Sequence, residues 1–213
     1  MMKKNRVVVV VVSVISIVLF ALSGYAEESP LFAGWEGKWV SSHALNSAPA
    51  MEPGFTAIAK AAQGKTVEDV KAFLASMYAT DFGAMELAGN AITYYDLDGA
   101  TVKATCEYSD AGKESTTFTN KDGSKHEFFW YMFALKSGDA ACKGYSNLIM
   151  TEVHGHEGGL EHWHMRYGEM ELDKLMNHPN AMWWPTLLHG DTTVEQALDN
   201  TLKNAEEMAS MLE

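Results

Sequence analysis

The sequence predicts a mainly β fold, a small antiparallel sandwich or barrel with helices at both ends. Short segments rich in Thr, Tyr, Phe and Val recur every ~8–12 residues through the middle of the chain. Turn signals separate them at Asp98-Gly99, Ala111-Gly112 and Asp122-Gly123. Apolar residues at helical spacing precede and follow this region. With 213 residues, 47% of them hydrophobic, the chain can bury one sizeable core.

The first element is an export signal. Basic residues precede the apolar run Val7–Leu22, and Gly24 and Ala26 place small residues before a cleavage point. We therefore predict a signal peptide over residues 1–26 and a single exported domain over residues 27–213. An uncleaved membrane anchor is the alternative, although the run is shorter than the ~20 residues of a membrane span.

The elements of the exported domain follow from the spacing of its apolar residues. Trp35 and Trp39 alternate with charged residues, which predicts a strand with both tryptophans on one face. Thr66, with Asp69 three residues later, predicts a capped helix start. The predicted helices cover residues 55–62, 67–78 and 193–212. The other predicted strands cover residues 91–96, 101–108, 115–119, 126–135, 145–156 and 162–167.

The charge of the chain limits its partners. The net charge is −12, and removal of the three basic residues of the signal would make it −15. A nucleic acid or an anionic bilayer requires clustered Lys and Arg, so neither is expected as the main partner. A small cation, or a protein with a basic face, is compatible with this charge.

The two cysteines, Cys106 and Cys142, are too few for a cysteine-cluster metal site. In an oxidising exported compartment a single bridge between them is expected. It would close a loop of 36 residues and stabilise the fold by ~3–4 kcal/mol. Two buried, unpaired thiols are the alternative.

Four histidines lie within eleven residues, as two His-x-His pairs on either side of a Gly-rich loop: His154, His156, His162 and His164. Residues two apart on a strand point to the same face. If residues 157–161 form a hairpin loop, His156 opposes His162 and His154 opposes His164. All four imidazoles then face one ion, which the spacing of opposed residues permits.

Zinc is the best single prediction for this ion, because neutral imidazole suits it and no thiolate is close in sequence. Cadmium and other divalent ions should also enter the site. A non-haem iron site that uses Glu157 or Glu161 is a second interpretation. An incidental His-rich loop with weak metal affinity is a third. Binding should weaken below pH ~6, because protons compete for the imidazoles.

The sequence resembles the ZinT (YodA) family of exported zinc- and cadmium-binding proteins over nearly the whole of residues 27–213. The order of its motifs along the chain carries the resemblance. These motifs are Trp35-Glu36-Gly37-Lys38-Trp39, Tyr78-Ala79-Thr80-Asp81, Thr105-Cys106-Glu107-Tyr108, Tyr131-Met132-Phe133, His162-Trp163-His164-Met165 and Trp184-Pro185-Thr186.

The resemblance implies a calycin, lipocalin-like β-barrel with helical additions and a disulfide. It implies zinc held by His154, His162 and His164, with a water or an extra ligand completing the shell, and it leaves His156 as an added fourth candidate. It also implies a non-enzymatic, periplasmic role in zinc recruitment, linked to the solute-binding protein of a zinc ABC importer.

Two other functions remain open from the sequence. A zinc hydrolase would use a metal-bound water, with Glu157 or Glu161 as the general base. A small-ligand binder would use an apolar barrel interior. The two tryptophans near the start of the exported domain are compatible with this function.

Asp81 is either a residue that orients an imidazole or one that caps the preceding helix or begins a turn. The isolated histidines, His43, His126, His178 and His189, are predicted to lie outside the metal site.

Overall fold

Eight antiparallel strands close into a barrel in which each strand pairs with its neighbours in sequence and the last pairs with the first. The computed structural model describes residues 30–119, 123–155 and 159–212. The strands are β1 Gly37–Ser41, β2 Ala84–Ala88, β3 Ala91–Tyr95, β4 Val102–Thr119, β5 Lys125–Gly138, β6 Asn147–Met150, β7 His162–Gly168 and β8 Thr186–His189. The predicted fold class, a lipocalin-like barrel with flanking helices, is confirmed.

Six α-helices accompany the barrel in the described part of the chain. They are α1 Ser42–Asn46, α2 Glu52–Ala61, α3 Val67–Met77, α4 Leu172–Met176, α5 Val194–Lys203 and α6 Ala205–Ser210. The capping box at Thr66 and Asp69 is confirmed, and a second box joins Thr193 and Gln196 at the start of α5. The predicted C-terminal helix is interrupted at Asn204, where α5 ends and α6 begins.

The barrel interior is filled by aromatic side chains. Trp39 and Trp163 pack edge to face with ring centroids 5.7 Å apart, and Tyr94 stacks on Tyr145 at 4.0 Å. Trp35, Phe82 and Phe133 belong to the same buried cluster. These rings occupy the space that an apolar ligand would need, so the barrel interior does not support the predicted small-ligand binder.

A second apolar core joins the helices to the outside of the barrel. Phe55 and Ile58 of α2 and Leu74 of α3 are buried in it together with Leu188 of β8. Helices from before β2 and after β8 thus form one layer against the β1–β8 side of the barrel. Strand β8 contacts this layer through Leu188 and pairs on its other side with the histidine-bearing strand β7.

The predicted disulfide between Cys106 and Cys142 is present. Cys106 lies in β4, and Cys142 lies in a 3₁₀ turn, Ala140–Tyr145, that precedes β6. The bridge therefore fixes this turn to the barrel wall.

Several predicted elements were wrong in extent. Residues 101–108 and 115–119 form one strand, β4, because Gly112 has φ +103° and produces a bulge where a turn was predicted. The predicted strand 145–156 is reduced to β6, which ends at Met150. Strands β2 and β8 were not predicted. The helices within residues 30–119, 123–155 and 159–212 are too short or too polar to span a bilayer.

Candidate metal centre

Strand β7 places two of the predicted histidines on one face. His162 and His164 alternate with Trp163 and Met165, which are fully buried in the barrel core. The two imidazoles therefore point away from the core and remain half-buried.

His154 reaches the same place from the segment that follows β6. It forms an isolated antiparallel bridge with His162, in which each backbone N–H donates to the other residue's carbonyl oxygen at 2.8 Å. The predicted register was therefore wrong: His154 opposes His162, not His164. The difference arises because β6 ends at Met150 and the chain meets β7 again through this one bridge.

The three imidazoles converge. Ring centroids are 4.3 Å apart for His154 and His162, 5.2 Å for His154 and His164, and 5.1 Å for His162 and His164. One nitrogen from each ring lies within 4.8 Å of the other two. Tetrahedral zinc at 2.0–2.1 Å from each nitrogen requires separations of about 3.3 Å. Small rotations of the rings would provide that spacing.

Hydrogen bonds fix which nitrogen of each ring can bind an ion. Nδ1 of His154 lies 2.9 Å from the Glu152 carbonyl, and Nδ1 of His162 lies 2.9 Å from the Leu160 carbonyl. A carbonyl only accepts, so in the neutral ring each Nδ1 carries the proton. Nε2 is then the nitrogen with the lone pair that a metal needs.

Thr186 of β8 determines which ring nitrogen of His164 carries the proton. Its hydroxyl donates to the Trp184 carbonyl at 2.9 Å, and its oxygen lies 2.9 Å from Nδ1 of His164. Because the single hydroxyl proton is used on Trp184, the oxygen accepts from Nδ1–H. Trp184 also packs edge to face on the His164 ring at 5.4 Å. All three rings therefore have the tautomer that a metal ligand requires.

Carboxylates do not complete this cluster within the described residues. The group of metal-binding side chains there consists of His154, His162 and His164. Glu161 is exposed and does not join it, which removes the support for Glu161 as an iron ligand or general base. The predicted fourth ligand His156, and Glu157, lie outside the described residues.

Asp81 has a different role from either one predicted. Its carboxylate accepts hydrogen bonds from the Tyr145 hydroxyl at 2.9 and 3.0 Å, from the Tyr167 hydroxyl at 2.9 Å, and from Lys103 at 2.9 Å. Burial acts to raise the pKa of Asp81, but the hydrogen bonds from Lys103, Tyr167 and Tyr145 outweigh it and hold the pKa below its usual range. Asp81 thus joins β4, β7 and the turn before β6.

The remaining histidines lie outside the cluster, as predicted. His189 pairs with Asp191 at 2.7 Å, and His178 packs on Trp183 at 4.7 Å. His43 and His126 do not belong to the group of metal-binding residues.

A cavity of about 340 Å³ lies beside the cluster. His162, His164 and Thr186 form its barrel side, and residues of α1, α5 and α6 form its other side. The sequence did not indicate this cavity, because its walls come from elements far apart in the chain.

An eight-stranded barrel with three convergent imidazoles on its outside defines a class of lipocalin-like protein with a candidate metal site. The profile of the family described as ZinT (YodA) periplasmic lipocalin-like zinc-recruitment matches residues 26–203. The chain belongs to the ZinT family.

Two solved structures share the fold. Zn(II)-bound AdcA from Streptococcus pneumoniae superposes with a TM-score of 0.56 at 18% identity, over 83% of this chain and 34% of AdcA. The Zn(II)-bound ZinT-like domain of Streptococcus pneumoniae AdcA gives a TM-score of 0.54 at 20% identity, over 83% of this chain and 88% of that domain. The chain thus spans about a third of AdcA. No curated protein matched the sequence significantly.

Proposed function

We propose that this protein is a periplasmic zinc-binding protein that holds one zinc ion through Nε2 of His154, His162 and His164. The observation that carries the proposal is the set of three Nδ1 hydrogen bonds, which gives all three converging rings the tautomer of a metal ligand. Membership of a family described as zinc-recruiting supports zinc as the ion.

Equilibrium dialysis with zinc tests this proposal. The wild type should bind one tight zinc ion per chain, and the double variant His162→Ala/His164→Ala should lose it. His126→Ala is the matched control, because His126 is exposed on β5 and outside the cluster. A wild type that retains no zinc, or a double variant that binds as tightly as the wild type, would refute the proposal.

We further propose that residues 1–26 direct export, and that the protein buffers zinc and delivers it to the solute-binding protein of a zinc ABC importer without catalysing a reaction. The periplasmic, zinc-recruiting description of the family supports this role. Cadmium should compete for the same imidazoles, because it is a divalent ion that accepts neutral imidazole ligands as zinc does. Delivery is tested by mixing zinc-loaded protein with a purified solute-binding protein. We expect zinc to pass to that protein faster than it passes to a small chelator of equal zinc affinity. Transfer at the chelator rate would contradict delivery.

A further inference from the structure

The chain between β6 and His154 contains one residue more than regular pairing with β7 allows. In the β6–β7 ladder Met150 pairs with Met165, and continued at this register the ladder would place Val153 opposite His162. The observed partner of His162 is instead His154. One strand thus carries an extra residue before the bridge, which is a β-bulge.

The bulge determines which side chain reaches the metal centre. Opposed residues on antiparallel strands point to the same face, and a slip of one residue exchanges the two faces. Val153 packs against the barrel core, whereas the ring of His154 lies beside those of His162 and His164. Without the bulge, Val153 would face the other two imidazoles and His154 would turn away from them.

Thr151 marks the point at which the regular ladder is interrupted. Its backbone N–H donates to the His164 carbonyl oxygen at 2.9 Å, as antiparallel pairing requires. The return bond is different, because the His164 N–H donates to Oγ1 of the Thr151 side chain at 2.9 Å. The threonine hydroxyl thus takes the place of the Thr151 carbonyl and leaves that carbonyl to another donor.

That donor is the indole of Trp35. Its Nε1–H donates to the Thr151 carbonyl oxygen at 2.8 Å. Trp35 is 6% exposed and Thr151 is 5% exposed, so loss of this bond would leave a buried polar group unpaired. Trp35 is itself held in place, because its carbonyl accepts from Nε1–H of Trp39 at 2.7 Å and its ring packs edge to face on Tyr131 at 5.1 Å.

We infer that Trp35 and Thr151 are positioning residues of the metal centre, which hold the bulge that presents His154 to the ion. The inference rests on the proposed zinc site. The indole holds the Thr151 carbonyl away from β7, and the threonine hydroxyl replaces it in the ladder. The first tryptophan of the Trp-Glu-Gly-Lys-Trp motif therefore places a ligand in addition to filling the barrel.

A double-variant cycle on zinc affinity tests this role, with a chromophoric chelator as competitor. Trp35→Phe removes the indole N–H and keeps an aromatic ring, and we expect zinc to bind about 10–100-fold more weakly. In a protein that already carries His154→Ala, the same change should alter zinc affinity by no more than about twofold, because no ligand is left to position. A tryptophan that only stabilised the fold would weaken binding equally in both proteins.

Trp183→Phe is the matched control. It also removes an indole N–H from a backbone carbonyl, that of Ala79 at 2.9 Å, but this bond does not involve residues 151–154. Zinc affinity should stay within about twofold of the wild type.

Thr151→Val provides a second measurement, which decides the matter if circular dichroism shows that Trp35→Phe does not fold. Without Oγ1 the His164 N–H must compete with Trp35 for the Thr151 carbonyl, so zinc should bind about tenfold more weakly. Thr151→Ser keeps the hydroxyl and should bind within about twofold of the wild type.

The inference is overturned if folded Trp35→Phe binds zinc as the wild type does, or weakens binding equally with and without His154. Where Trp35→Phe does not fold, wild-type zinc affinity in Thr151→Val overturns it. A wild type that binds no zinc would instead overturn the proposed zinc site, and this inference with it.

Discussion

Single residues determine which nitrogen of each of the three imidazoles can bind an ion. His154 and His162 obtain their tautomer from carbonyls two residues before them in sequence. His164 depends instead on Thr186, which lies 22 residues away. The His-x-His pattern predicted the ring positions, but the partner on β8 has no spacing signal and could not be inferred from sequence.

Replacing Thr186 should lower zinc affinity without removing a ligand. In Thr186→Val the Nδ1–H of His164 loses its acceptor, and we expect zinc to bind about 10–100-fold more weakly. Thr186→Ser keeps the hydroxyl and should bind within a fewfold of the wild type. Competition with a chromophoric chelator measures both, with circular dichroism to verify folding. Equal affinity in Thr186→Val and the wild type would show that this hydrogen bond does not prepare the site.

Asp81 should make stability depend on pH. Its depressed pKa means that the carboxylate stabilises the fold above the ordinary Asp pKa of about 4, and that this contribution is lost as pH falls further. Asp81→Asn should therefore cost about 1–2 kcal/mol at pH 7, a modest value because the side chain is 56% exposed. The difference from the wild type should shrink below pH ~4.

Urea unfolding across the pH range measures this difference. Asp199→Asn, on the exposed surface of α5, is the control and should change little. A difference in the free energy of unfolding between Asp81→Asn and the wild type that stays constant down to pH 3 would contradict this role of Asp81.

At the scale of elements, the barrel depends on a short seam between its first and last strands. Strands β1 and β8 pair over only three residues of β1, Trp39 to Ser41. Gly190 follows directly, and a Cβ there would lie 2.5 Å from the Lys38 carbonyl oxygen. Only glycine allows the two backbones to approach so closely.

Gly190→Ala should therefore destabilise the protein, by about 1–3 kcal/mol, because the seam must open to admit the methyl group. Gly34→Ala provides the comparison, since a Cβ at Gly34 meets nothing within 4 Å. Thermal unfolding followed by circular dichroism measures both. Equal melting temperatures for the two variants would show that the space between β1 and the chain after β8 admits a methyl group without loss of stability.

Elements with clear apolar periodicity could be predicted from the sequence, whereas elements determined by their pairing partners could not. Strand β3 and helix α3 have clear periodicity and were predicted within a residue or two. Strand β2 consists largely of Ala, Met, Glu and Leu, which favour helix, and it becomes a strand because it pairs with both β1 and β3. Strand β8 has only four residues between Pro185 and Gly190, so its pairing with β7 and β1 decides its conformation.

At the scale of the whole molecule, the buried apolar residues of the described ranges fill a barrel with aromatic rings and form a helical layer outside it, and a smaller third cluster joins α4 to β5 and β6. The candidate metal centre lies where the barrel and the helical layer meet. The net charge of −12 favours the approach of a cation. The fold class and three histidines could be predicted from sequence, whereas the cavity required the packing of α5 and α6 against β7 and β8.

Zinc-edge X-ray absorption spectroscopy on protein loaded with one equivalent of zinc tests the central claim most directly. The account predicts three imidazole nitrogens at about 2.0–2.1 Å and one further oxygen or nitrogen ligand. A first shell made of oxygen alone, or one with fewer than three imidazoles, would contradict it.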